Sequence, residues 1–514
     1  MKRFRSYFIR CILLCTSVFL ITCHSEKRIR QDQTNLLIPL LFQEEKPKCP
    51  GLWALNFQTN LYRCVEAKKI ADFSEVEIYM EKELLKKQEE GLYPSINYQQ
   101  IGEAFQNKIK PQLETTFGVV SDVDRNNKIT IFILNINPGG NLGSFIAGYV
   151  DPVNIIEDPG VGKDMRSNMQ EIIYLDGVLL PQLREKTLQK GEADSILSVL
   201  AHEFQHLIRV QHQFGRNKLR AIIPLPRTEA EKTEFNRTVS FDDTWINEGM
   251  SELASDLAGY GPQVSRLHCF YGSSEGGCSN GFIGKSLFKW SSTILDYSFA
   301  YTFMKFLYEN AGLTSEERNE FLKDSIEGRK YGFRGNTSEK FFELYKYTNR
   351  YNAQLLGDDS ESIFRSLYAT FLSHTFSFSH NSIMNYNDSG ETSISNLLEK
   401  YNYPKELKDF AEKYSRLKPQ EKSSFTLYAS EVYRIKGTAK NSLSNSVIVQ
   451  GESEFFVFNP SFQSENSFSE KVELKNLNET EPCAEKSIQE NWIRYSLASQ
   501  AYYYGFRKQM LSEL

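Results

Sequence analysis

Ile196-Leu197-Ser198-Val199-Leu200-Ala201-His202-Glu203-Phe204-Gln205-His206 decides how the rest of the chain is read. Its apolar residues recur three and four positions apart, so the spacing predicts a buried-faced helix over 193–212. On a helix, residues four apart share a face, which brings the two imidazoles together. Two imidazoles at that spacing can bind one zinc ion. Glu203, one position on from His202, can reach water at such a metal from the side. A helix with two incidental histidines is the bland alternative. The chain holds only seven histidines, so chance pairing at this spacing is uncommon.

A catalytic zinc usually takes three protein ligands and leaves a fourth position open. Downstream, Trp245-Ile246-Asn247-Glu248-Gly249-Met250-Ser251-Glu252 opens a second predicted helix over 243–258. Glu248 is the best third ligand. Gly249 beside it removes bulk where this helix is expected to approach the first. Glu252 lies four residues on and shares the face of Glu248. It can accept a hydrogen bond from the second nitrogen of a ligand histidine, which fixes the tautomer. Asp242, Asp243, His212 and Glu252 itself compete for the third position. His212 is discounted, because six residues beyond His206 puts it off the shared face.

Working outward, the pattern predicts an α+β protein. Gln99 to Phe117 reads as a helix, with Pro111 bending or dividing it. Asp122-Val123-Asp124-Arg125-Asn126-Asn127-Lys128 reads as a tight turn with side-chain-to-backbone bonding. Alternating Asp, Asp and Asn could instead cradle calcium, but the full calcium-loop pattern is absent. Ile129 to Leu134 and Ile172 to Asp176 read as buried strands. Phe145 to Val150 reads as an edge strand able to hold substrate beside a metal site. Residues 293–310 form a third predicted helix, stopping at Gly312. From 313 to 420 the chain reads as mostly helical. After Pro419 short strands rich in Val, Ile and Phe alternate with Gly, Asn and Ser, which predicts a small all-β domain over 421–514. The expected organisation is a segment at 49–100, a catalytic domain with helical extension at 101–420, and that β-rich end.

The chain has 514 residues, 40% hydrophobic, with 60 basic and 65 acidic side chains. No basic stripe is present, so no nucleic-acid partner is expected. Lys2, Arg3, Arg5 and Arg10 precede a short apolar run from Ile12 to Ile21, too short to span a bilayer. It ends Leu20-Ile21-Thr22-Cys23. This resembles a bacterial lipoprotein signal over residues 1–22, with lipid carried by Cys23 and a polar tether to residue 48. The expected location is the cell envelope, held to a membrane through that lipid. Plain secretion is one alternative, because Thr22 departs from the usual Gly, Ala or Ser, and a retained anchor helix is another. Export permits disulfides. Cys49–Cys64 and Cys269–Cys278 are the pairs expected to close short loops, leaving Cys483 odd.

AHEFQHLI followed by WINEGMSELASDLAGYG resembles the glutamate-zincin metallopeptidases. Together with DVDRNNKITIFILNI upstream, it looks like the hyicolysin-type family of secreted bacterial zinc peptidases. The resemblance covers roughly residues 101–310. It implies a zincin-like domain, zinc at His202 and His206, and Glu203 as the catalytic carboxylate. By the same likeness Glu248 is the third ligand and Glu252 the residue that supports a ligand histidine. The stretch from His206 to Glu248 is longer than in the most compact members. Such enzymes often place a Tyr or His to hold the oxyanion, and Tyr297 is the first choice here, with Tyr301 and Tyr260 as alternatives.

The chemistry expected is hydrolysis of peptide bonds in a protein or peptide substrate. Two other readings stand beside it. One is a non-catalytic surface protein that uses the same fold for adhesion, which would have no need of Glu203. The other is a zinc hydrolase of a non-peptide amide or ester, which the same water chemistry would serve. Gly272-Ser273-Ser274-Glu275-Gly276 has the letters of a Gly-x-Ser-x-Gly motif, but it lies in a Gly- and Ser-rich loop over 261–285 rather than between a strand and a helix, so no nucleophile elbow is expected.

Overall fold

Five strands make the sheet on which the site is built. The computed structural model describes residues 49–471, apart from 142–144, 161–164, 215–218, 240–241, 273–277, 336, 387–389, 421–425, 440–445 and 463–469. The signal segment, Cys23, the tether, Cys483 and the last part of the expected β-rich end therefore lie outside the described residues. The architecture is mixed α+β. A hairpin of β1 (Leu52–Asn56) and β2 (Leu61–Val65) precedes the main sheet. That sheet comprises β3 (Ala67–Asp72), β4 (Val76–Glu81), β5 (Ile129–Leu134), β6 (Gly148–Val150) and β7 (Ile172–Asp176), in the order β3-β4-β5-β7-β6. The β4–β5 and β5–β7 pairs are parallel, and the two edge pairs are antiparallel. Every residue of β5 is buried. Its unbroken ITIFIL run is what a strand covered on both faces requires.

One face of the sheet is closed by the hairpin. Tyr149 and Tyr174 stack at 4.2 Å between ring centroids. The Tyr174 hydroxyl donates to the Trp53 carbonyl at 2.8 Å, and the Leu55 N–H donates to the Tyr149 hydroxyl. Cys49–Cys64 staples the hairpin, and Cys269–Cys278 closes a loop further on, as their spacing suggests. Residues 49–100 thus supply two strands and a cover to the sheet that also contains β5 and β7. The sheet does not respect a division at residue 100.

Helices cover the other face. In chain order the helices of this part are α1 (Lys82–Glu89), α2 (Tyr98–Ala104), α3 (Lys110–Phe117), α4 (Leu179–Gln189), α5 (Ser195–Gln213), α6 (Glu229–Thr238), α7 (Thr244–Ser255), α8 (Val264–Phe270) and α9 (Ile294–Glu309); α2, α4 and α5 pack on the strands, α7 packs on α5, and α9 packs on α7. A π-helical turn at Phe105–Ile109 joins α2 to α3. It falls where Pro111, having no N–H, cannot bond the carbonyl of Asn107. The bend expected at Pro111 is therefore a widened turn just before it. The Asp194 side chain caps α5 by accepting from the N–H of Ile196 and Leu197. A capping box of Thr293 and Asp296 starts α9. Further helices follow: α10 (Ser315–Glu327), α11 (Ser338–Tyr345), α12 (Ala353–Leu356), α13 (Ser360–Thr375), α14 (Ser395–Lys400) and α15 (Lys405–Tyr414), as the composition of this stretch predicts.

The C-terminal strands form a second sheet, but not from residues beyond 420 alone. Its order is Val432–Lys436, Glu454–Phe458, Val447–Gln450, Ile383–Tyr386 and Glu391–Ser393, all antiparallel. Two strands thus come from the stretch read as helical. Val432, Val447, Val449, Phe456 and Phe458 belong to the same continuous core as α5 and α9. Leu427, Ile435, Ile448, Phe455 and Val457 form a small cluster of their own.

Candidate metal centre

Helix α5 is buried along almost its whole length, so its polar side chains must find partners in the interior. His202 and His206 project together. Their Nε2 atoms are 3.1 Å apart. Helix α7 crosses α5 and delivers Glu248, whose Oε2 stands 3.4 Å from His202 Nε2 and 3.5 Å from His206 Nε2. Glu248 is completely buried. Burial alone would raise its carboxyl pKa, yet the imidazoles of His206 and His202 hold it well below the usual range.

The donor set fits zinc. A tetrahedral shell with bonds of about 2.0 Å separates its ligand atoms by about 3.3 Å. The three separations here are 3.1, 3.4 and 3.5 Å. The tautomer of His206 agrees. Its Nδ1 lies 3.3 Å from Asn247 Oδ1 and 3.1 Å from Ser251 Oγ. The Ser251 hydroxyl is directed at Gln205 Oε1, 2.5 Å away. Nδ1 is then the donor, and the Nε2 lone pair faces His202 and Glu248.

Glu203 lies beside this triangle, 1% exposed. Burial pushes its carboxyl up to about 8, opposed by His206 and reinforced by Glu248 and Glu252. The Val150 N–H of β6 donates to the carboxylate, and Oε2 accepts no hydrogen bond. A cavity of about 430 Å³ opens next to His202 and Glu203. Val199, Ile294, Tyr297 and Pro262 give it apolar walls, and Lys186 and Lys190 also line it.

Glu252 lies beside the second nitrogen of His202 without bonding to it. Its Oε1 is 3.7 Å from His202 Nδ1, beyond hydrogen-bond range. The same oxygen accepts from Arg266 Nε at 3.0 Å and Nη2 at 2.6 Å. A guanidinium fork outcompetes an imidazole N–H for one carboxylate oxygen. The competing third ligands are engaged elsewhere. Asp242 pairs with Arg209 and accepts from Gln213. Asp243 accepts from the backbone and hydroxyl of Ser338. His212 meets the Val119 carbonyl at 3.1 Å, and burial lowers its pKa to about 4.

Among the tyrosines, Tyr297 and Tyr260 line the cavity, whereas Tyr301 donates to Asp256 at 2.9 Å. Tyr297 is fully buried, with the Arg266 guanidinium 5.4 Å from its ring centroid. Gly249 gives clearance, but to α9 rather than α5: a Cβ there would sit 3.0 Å from the Ala300 carbonyl oxygen. One position on from Glu248 is about 100° around the helix, which turns Gly249 away from the first helix.

Arg266, Asn247 and Ser251 are members of this network that sequence reasoning passed over. Asn247 and Ser251 had a signal: they are polar residues flanking Glu248 on a helix with an apolar majority. Arg266 had none, because its partner lies fourteen positions away across a turn.

No protein-family model matches the chain. The chain is similar to the neutral metalloprotease ShpI of Staphylococcus hyicus, 26% identical over 228 residues. The match covers 44% of this chain and 44% of that protein, so the chain spans under half the length of the relative it matches.

Proposed function

We propose that this chain is a zinc-dependent endopeptidase of zincin-like fold. The observation that carries the reading is the His202–His206–Glu248 triangle with Glu203 buried beside it at the edge of a cavity. The similarity to a neutral metalloprotease supports it independently. His202, His206 and Glu248 hold the ion. Zinc, when bound, supplies Lewis-acid activation of water and of the scissile carbonyl.

The chain's own residues do the rest. Glu203 takes the proton of the attacking water and passes it to the leaving amine. Tyr297 donates to the oxyanion that develops on the carbonyl oxygen. The edge strand β6 aligns an extended peptide by main-chain bonds. Gly148 in β6 leaves room for the Glu203 side chain, since a Cβ there would lie 3.1 Å from Glu203 Cγ. Asn247 and Ser251 hold His206 in its tautomer, and Arg266 fixes Glu252 behind His202. The walls at Val199, Ile294 and Pro262 take a side chain of the substrate.

Purified protein is expected to cleave casein or quenched peptides and to lose that activity with 1,10-phenanthroline, regaining it with zinc. Cleavage indifferent to the chelator, or none at full zinc occupancy, would sink the reading. Export and lipid attachment at Cys23 are part of the same proposal. Two disulfides support export. Among the described residues no helix is long and apolar enough to cross a membrane. Metabolic labelling with a lipid precursor tests the anchor: wild-type protein takes up label and Cys23→Ala does not.

A further inference from the structure

Asp122, Asp124 and Glu171 bring three carboxylates together, with oxygens all within 4.8 Å of one another. None of these residues lines the cavity beside Glu203. Asp122 and Asp124 lie in the turn before β5. Glu171 immediately precedes β7, where its carbonyl accepts from the Thr130 N–H of β5. Asp122 Oδ1 accepts from the Asn127 N–H at 2.9 Å, and Asp124 Oδ1 from the Asn126 N–H at 3.2 Å. The turn bonding expected from the sequence is therefore present, but it does not explain Glu171.

Glu171 is 1% exposed, and only its Oε1 is engaged, by the Val123 N–H at 2.9 Å. Its Oε2 is buried with no hydrogen-bond partner. The Ser121 hydroxyl, 2% exposed, faces this carboxylate and partly offsets the effect of burial on it, but makes no hydrogen bond of normal length and angle, so the one neutral group beside Glu171 does not balance its charge. Leaving a carboxylate oxygen in the interior without a donor is expensive. No positive side chain answers it. The nearby ammonium groups are spent on other carboxylates: Lys128 on Asp72, and Lys69 on Glu77 and Asp72. Among the described residues no Lys, Arg or His forms an ion pair with Asp122, Asp124 or Glu171. Burial raises the pKa of both Glu171 and Asp124, and the neighbouring carboxylates add to it.

We propose that Asp122, Asp124 and Glu171 form a calcium site that ties the turn before β5 to the start of β7. Three hard carboxylate oxygens on a flexible turn suit calcium better than magnesium, which demands near-ideal octahedral geometry, or zinc, which prefers nitrogen and sulfur. The buried Oε2 of Glu171 is the anchor, and the two aspartates close over the ion from the solvent side. The effect is on the sheet: the ion pins β5 and β7 at one end, and these strands support α5.

The test is a calcium titration of the zinc-loaded full chain by calorimetry, with thermal melts in calcium, magnesium and matched sodium chloride. Calcium should bind and raise Tm by a few degrees, with magnesium and sodium chloride doing much less. Glu171→Gln and Asp124→Asn should each weaken calcium binding at least about 10-fold, because ligand charge sets affinity at such sites. Asp124 is exposed, so its variant folds even if the Glu171 variant does not, and circular dichroism checks both. The proposal is overturned by any of three results: no binding to the wild type, an equal shift from matched sodium chloride, or unchanged affinity in Asp124→Asn.

Discussion

Glu203 combines a catalytic assignment with a cost to the fold. Glu203→Gln should keep zinc and lower kcat by about 100- to 10,000-fold, the span typical for a positioned proton carrier. Metal analysis beside a peptide assay checks both halves. The same residue makes a pH prediction for the metal-free protein. An unfolded glutamate titrates near about 4.3, whereas the folded pKa of Glu203 is about 8. Between those values the fold keeps a proton that the unfolded chain has released, so stability falls as pH rises through that window. Metal-free Glu203→Gln should match the wild type at pH 4 and melt higher above pH 8. Equal melting temperatures at pH 9 would refute the buried-carboxylate account. Glu248 and Glu252 separate by a different measurement. Glu248→Ala removes one atom of the triangle and should yield nearly zinc-free protein after dialysis. Glu252→Ala should retain zinc but remove the carboxylate onto which the buried Arg266 guanidinium forks, costing about 3–5 kcal/mol of stability. Glu252→Gln keeps an acceptor for Arg266 and should recover part of that loss. A zinc-free Glu252→Ala with zinc-replete Glu248→Ala would reverse the assignment.

The helices were legible at the level of elements because their signals are local. Three- and four-residue spacing marked α5, α7 and α9 to within about three residues of their ends. HExxH then fixed which face of α5 mattered. The sheets were less legible, since pairing is set by residues far apart in sequence. AKKIAD carries two lysines and has no fully buried residue, so nothing local marks β3 as a partner of β4. The strand at Ile383–Tyr386 has only one buried residue and is recruited by Val447–Gln450, more than sixty positions on. The glycines at helix and strand contacts could be named but not placed, as Gly249 shows. They now give two predictions of opposite kind. Gly249→Ala pushes a Cβ against the Ala300 carbonyl and Met304. It should cost about 1–3 kcal/mol in a denaturant melt while leaving zinc bound, as overpacking does. Gly148→Ala places a Cβ 2.9 Å from the Tyr174 carbonyl and 3.1 Å from Glu203 Cγ. It should fold and hold zinc, yet turn over about 10- to 100-fold more slowly, because a small displacement of the base is enough. Unchanged kcat in a folded Gly148→Ala would mean that β6 does not position Glu203.

Among the described residues the main core runs without a break from the first sheet to the C-terminal strands, which bears on whether those strands are a separable module. Tyr368 of α13 is fully buried; it meets Phe458 edge-on at 4.8 Å and donates to the Ser430 carbonyl at 3.0 Å. Ser286 donates to the Ala429 carbonyl at 2.5 Å, and the Gly284 N–H to the Val432 carbonyl. Arg434 forks onto Glu454 while its guanidinium lies 4.7 Å from the Phe376 ring. Removing residues 421–514 would strip Val432, Val447, Val449, Phe456 and Phe458 from the continuous core. Burying each such side chain is worth about 1.5–3 kcal/mol. The sum rivals the whole stability of an ordinary domain, about 5–15 kcal/mol. The same cut would leave Ile383–Tyr386 as an unpaired edge, prone to aggregate. The truncated protein is therefore expected to be insoluble, or soluble without a cooperative melt and without stoichiometric zinc. An independent appended domain makes the contrary prediction: a soluble fragment that melts cooperatively, binds one zinc and cleaves peptides at the full-length rate. Expression of the 1–420 fragment, followed by calorimetry and metal analysis, decides between them. A milder probe guards against a trivial failure to express. Phe458→Ala in the full chain removes the ring against Tyr368 without cutting the backbone. In one shared core it should cost about 3–5 kcal/mol and lower the single transition of the whole protein. In a separable module it would lower a second transition and leave the one reported by zinc release untouched.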